Sequence, residues 1–179
     1  MATRYRTLMA FILLVALSPV QASSIAQIIP DGYRAVAQQA RVPENLLYAV
    51  ALTESGSKLP QGIRPWPWTL NVNGRGYQYA TRRDACAALQ RFVLTTNPKR
   101  IDIGPGQINL GWNGQHFASP CDLLAPYPNL QLAAQLLRQH YDRWQSWPEA
   151  AGRYHHPAGG KPAQRYRAQV LRHLQHLPS

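Results

Sequence analysis

The run Val42-Pro43-Glu44-Asn45-Leu46-Leu47-Tyr48-Ala49-Val50-Ala51-Leu52-Thr53-Glu54-Ser55-Gly56 constrains the fold more than any other part of the chain. Pro43 has the fixed φ of a helix start, Glu44 adds negative charge to the opening turn, and Gly56 stands where a helix commonly stops. The run reads as one helix. Leu47, Val50 and Ala51 recur at helical spacing as an apolar stripe, with Glu54 at its end. A carboxylate aimed at a core is costly to ionise, so it keeps its proton near neutral pH, the state that a general acid needs. A second reading stays open on this run alone, in which Glu54 reaches solvent at the helix end and has no role.

Arg4 and Arg6 precede the apolar run from Leu8 to Leu17, and Val20-Gln21-Ala22 has small residues at signal-peptidase spacing. Residues 1–22 therefore read as a cleaved signal peptide, and 23–179 as one soluble, exported domain, periplasmic in location. The apolar run is short for a membrane anchor, the alternative to cleavage, so no stable membrane insertion is expected. In an oxidising compartment the lone pair Cys86 and Cys121 reads as a disulfide, since zinc would need two further ligands nearby. The formal charge of +11 becomes +9 without Arg4 and Arg6. That balance suits polyanions, and export favours a carboxylate-rich bacterial wall over nucleic acid, which is not expected as a partner.

Residues 23–40 look helical on both sides of Pro30-Asp31, with Asp31 as a cap. The prolines and glycines of 56–67 suggest an irregular loop, and Asn73-Gly74-Arg75 marks one small hairpin between Trp68–Val72 and Gly76–Tyr79. Further helices are expected over Thr81–Thr95, in a short stretch through Leu110 and Trp112, after Ser119-Pro120, over Asn129–Trp144, from Ser146 to near Tyr154, and over Ala163–His176. The fold class is α+β, mainly α.

Only eight acidic residues are present, and Glu54 alone has an apolar helical setting. A two-carboxylate glycosidase needs a second acid, for which Asp102 is the most plausible companion. No metal is expected, because His155-His156 and His173/His176 lack a consistent third ligand. Trp144 and Trp147 fit either a core or a sugar-stacking role.

Four elements then occur in order: Glu54-Ser55 closing an apolar helix, Gly104-Pro105-Gly106-Gln107-Ile108-Asn109, Ala150-Ala151-Gly152-Arg153-Tyr154-His155, and Tyr166 four residues before Val170. In this order the chain resembles soluble lytic transglycosylase domains, from about Ile25 to its end. The resemblance implies a lysozyme-like single domain, no cofactor, and cleavage of peptidoglycan glycan strands by a monomer. It implies Glu54 as general acid and then base, forming 1,6-anhydromuramoyl ends without water. Ser55, Gln107, Asn109, Tyr154, His155 and Tyr166 are implied as substrate-binding residues. A helix-end Ser, a Gly-Pro turn and buried tyrosines would explain several of these without function. Two positions depart from the family pattern: His155 replaces an Asn, and Gly106 a Met. Trp66-Pro67-Trp68-Thr69-Leu70-Asn71-Val72 resembles a subgroup associated with conjugation or type IV secretion. A non-catalytic wall-binding protein and a lysozyme-type hydrolase are the competing readings, with nucleic-acid binding by the basic C-terminal helix a third that requires the signal-peptide reading to be wrong.

Overall fold

A computed structural model describes residues 27–178. The expected signal peptide, residues 1–22, lies outside the described residues. Helices dominate, with α1 at Asp31–Ala40, α2 at Glu44–Ser55, α3 at Arg82–Thr95, α4 at Leu110–Asn113, α5 at Pro126–Trp144, α6 at Trp147–His155 and α7 at Gly160–Leu174. The strands are β1 Gly56–Leu59, β2 Gly62–Pro65, β3 Thr69–Val72, β4 Arg75–Gln78, β5 Ile101–Ile103 and β6 Ile108–Asn109. Among the described residues no helix is long and apolar enough to cross a membrane.

Helix α2 is the axis of the molecule. Every residue from Leu46 to Leu52 is buried, so the expected single stripe is corrected to a helix enclosed on all sides, packed by α1, α6, α7 and β2. A helix with apolar residues all round has no solvent face to offer. Glu54 thus emerges at the end of a fully covered rod.

Several sequence expectations are corrected. Residues 27–30 are not helical, and α1 is preceded by Pro30 as its N-cap, so Asp31 sits inside the first turn and caps nothing. The segment 56–67 is not irregular, because β1 and β2 pair antiparallel with Leu59 opposite Gly62. Its breakers sit where strands tolerate them: Pro60 in the turn, Gly62 at a φ of 102°, and Pro65 at the strand end. Helix α5 starts at Pro126 rather than Asn129.

In place of one hairpin there are two sheets, the larger in the antiparallel order β4-β3-β5-β6. Asn73 and Gly74, at φ of 54° and 81°, form the two-residue turn of the β3–β4 hairpin that the sequence does announce. Period-two alternation splits the larger sheet into two rows. Leu70, Ile103 and Ile108 are paired across the strands and buried in the core. The alternate row brings Asn71, Asp102 and Asn109 side by side. Cys86 and Cys121 form a disulfide with Cα atoms 5.3 Å apart, tying α3 to the 3-10 turn Pro120–Leu124.

Candidate active site

The polar row of the sheet, the end of α2 and the start of α4 surround a cavity of about 530 Å3. Glu54, Asn71, Asp102, Gln107 and Asn109 line it on the sheet side. Trp112, Leu136, His140, Tyr154 and His155 close it from the helices.

Glu54 owes its position to α2 and its partner to α7. The Tyr166 hydroxyl donates to Oε1 of Glu54 at 2.7 Å. Burial pushes the Glu54 carboxyl up to about 8, with the Asp102 charge adding to the rise and the Tyr166 hydrogen bond opposing it. The acid therefore keeps its proton at neutral pH, while part of its surface still meets the cavity. Burial also holds the Tyr154 and Tyr166 phenols well above their ordinary range, so both remain donors. Asp102 is raised by burial, against a 2.8 Å hydrogen bond from Asn109 and the pull of His155.

The β5–β6 turn is built as a platform. Gly104 has a φ of 80°, and a Cβ there would lie 2.5 Å from Asn129 Nδ2 and 2.8 Å from the Leu123 carbonyl, so only glycine fits. Asn129 is fully buried and fully satisfied: its Oδ1 accepts from the Gly106 N–H at 2.8 Å, and its Nδ2 donates to the carbonyls of Ile103 and Leu123. Tyr154 donates to the Gly106 carbonyl at 2.5 Å, joining α6 to the same turn.

The expected site residues separate by role. Tyr154 and His155 line the cavity with Glu54, and the exposed His155 ring lies flat on Tyr166, with centroids 4.6 Å apart. Tyr166 is 5% exposed and backs the acid rather than lining the cavity. Ser55 is 3% exposed and outside the cavity wall, and its hydroxyl donates to the carbonyls of Ala51 at 3.0 Å and Pro105 at 2.9 Å. Its geometry ties the end of α2 to the platform. Gln107 and Asn109 line the wall, but their amide N–H groups already serve the protein, Gln107 donating to Gly104 O and Asn109 to Lys99 O and Asp102. Trp144 and Trp147 lie off the cavity: Arg153 covers the Trp144 ring and Tyr141 stacks on Trp147.

Sequence reasoning missed Asn71, Asn129 and the cavity roles of Trp112 and His140. The alternation Leu70-Asn71-Val72 beside Ile101-Asp102-Ile103 carried the signal for Asn71, a polar residue between two inward apolar ones. Among the described residues no three His, Cys, Asp or Glu side chains gather to hold a metal ion. No protein-family model, curated protein or solved structure matches the chain.

Proposed function

We propose that the chain is a periplasmic peptidoglycan lytic transglycosylase with a lysozyme-like fold, acting as a monomer on glycan strands. The observation that supports this most is Glu54: one carboxyl at the end of an enclosed helix, raised to about 8, held by Tyr166 and open to a cavity wide enough for sugars. Glu54 would donate its proton to the oxygen linking N-acetylmuramic acid to N-acetylglucosamine. The bond from the muramoyl C1 to that oxygen breaks, leaving an oxocarbenium-like C1. The C6 hydroxyl of the same sugar then attacks C1 and gives its proton back to Glu54. The 1,6-anhydro ring closes, the acid is restored and no water is consumed. A nucleophile already on the sugar needs no second carboxylate. The net positive charge suits an anionic wall. A role beside conjugation or secretion machinery rests on the Trp66–Val72 resemblance.

Asp102 in the same cavity favours one second reading, a two-carboxylate hydrolase in which Asp102 assists a water. Mass spectrometry of muropeptides released from purified sacculi separates the two. Anhydromuramoyl ends from the wild type and none from Glu54→Gln support the proposal. Reducing ends move it to hydrolysis, and no release by either folded protein leaves a wall-binding protein.

A further inference from the structure

Trp112 leaves 62% of its surface exposed on the wall of the Glu54 cavity, although burial would favour so large an apolar ring. The Lys99 ammonium lies over the ring, 3.9 Å from its centroid. Among the described residues Lys99 forms no ion pair, so its charge is available.

This pair is fixed by the backbone beneath it. Asn109 Oδ1 accepts from the N–H groups of Gly111 at 3.1 Å and Trp112 at 3.3 Å. Its Nδ2 donates to the Lys99 carbonyl at 3.0 Å and to Asp102 at 2.8 Å. One side chain thus joins Trp112, Lys99 and the cavity floor. Gly111 permits the approach: a Cβ there would fall 2.5 Å from both the nitrogen and Cγ of Lys99.

We propose that Trp112 and Lys99 form a subsite of the cavity for an anionic glycan, the indole taking the C–H face of a sugar and the ammonium taking a carboxylate that the chain carries. The proposal rests on the glycan-cleaving reading and adds the charge preference that Glu54 does not determine. An uncharged N-acetylglucosamine oligomer would use the ring alone. A peptidoglycan fragment bearing lactyl-peptide carboxylates would use both groups.

The test is calorimetric binding at low salt to the protein carrying Glu54→Gln, which cannot turn the ligand over. The two ligands are a soluble glycan–peptide fragment and a chitin oligomer of equal length. Lys99→Ala is expected to weaken the fragment about tenfold and leave the oligomer unchanged, and Trp112→Ala to weaken both about tenfold. Both side chains are on the surface, and matching melting curves check that the variants fold. A Trp112→Ala variant that binds both ligands as before, a Lys99→Ala variant that shows no selective loss, or a parent that binds neither ligand would each overturn the subsite. Sacculus digestion by the wild type tests the activity separately. Anhydro products together with any of those outcomes sink the subsite alone, and selective binding without products sinks the activity alone.

Discussion

The Tyr166 hydroxyl reaches the Glu54 carboxylate at 2.7 Å from a helix 112 residues further along the chain. That bond stabilises the ionised form, opposing the burial that raises the acid to about 8. Tyr166→Phe removes the opposition, so the carboxyl rises further. A rate that needs protonated Glu54 falls as pH passes about 8 in the wild type, and the descending limb moves to higher pH in the variant. Loss of the fixed donor also misplaces the acid, lowering the rate at pH 7 about tenfold or more. A pH–rate profile of sacculus digestion reads both effects. A limb that stays put would show that the bond does not govern this acid.

Asp102 acts on Glu54 in the other direction, its charge adding to the rise. Asp102→Asn keeps an oxygen to accept from Asn109 and removes the charge. The descending limb is expected to move to lower pH. The move is smaller than burial itself would give, because burial is the largest cause of the raised value. If the substitution abolishes turnover at every pH, the hydrolase reading with Asp102 as the second carboxylate gains.

Gly104→Ala is expected to cost about 2–4 kcal/mol, from a φ of 80° and a Cβ driven to 2.5 Å from Asn129. Asn129→Ala should cost about as much, since it leaves the Gly106 N–H and the carbonyls of Ile103 and Leu123 without partners in the core. The two share one turn, so the double variant should lose less than the sum. Urea unfolding of both single variants and the double measures this coupling, and additive losses would separate the glycine from the asparagine.

The elements that sequence made legible are those with local signals. Pro43 and Gly56 bracket α2, Asn73-Gly74 announces its hairpin, and the helix expected over Thr81–Thr95 forms from Arg82 to Thr95. β5 and β6 have three and two residues, too few for a period to show, and β5, which carries β6 on its far edge, reaches β3 only through partners 29 to 33 positions apart, from Val72 opposite Ile101 to Leu70 opposite Ile103. The β1–β2 hairpin was hidden because Pro60, Gly62 and Pro65 read as breakers without regard to where in a hairpin they stand. Asn129 reads as a helix-starting residue, while its partner Gly106 lies 23 positions earlier. Ser55 and Tyr166 stood out by resemblance, yet only packing reveals that one faces a turn and the other an acid.

The Cys86–Cys121 disulfide closes a loop of 35 residues that contains β5, the platform turn and α4. Loop closure of that length is worth about 3–4 kcal/mol through the unfolded chain. Reduction, or Cys86→Ala with Cys121→Ala, is expected to lower the urea midpoint accordingly while leaving the pH dependence of the rate unchanged, because neither cysteine lines the cavity. A shifted pH profile in the double variant would instead mean that the bridge holds the platform in place under Glu54.

Glu54→Gln should make the fold more stable, and only where the acid is strained. Below its ordinary value of 4.5 the carboxyl is protonated in both folded and unfolded chains and costs nothing. Between 4.5 and about 8 the unfolded chain ionises while the folded one keeps its proton, so the native state loses ground as pH rises. Above about 8 the loss stops growing. Glutamine is neutral throughout and can still accept from Tyr166. Discounting for the part of Glu54 that meets solvent, the variant should gain on the order of 2 kcal/mol at pH 8 and nothing at pH 4. In melting temperature this is about 4–8 °C for a chain of this size. Calorimetric melts across that range decide it. A constant difference at every pH would mean that Glu54 is not held protonated, and its role as the proton donor would fall with it.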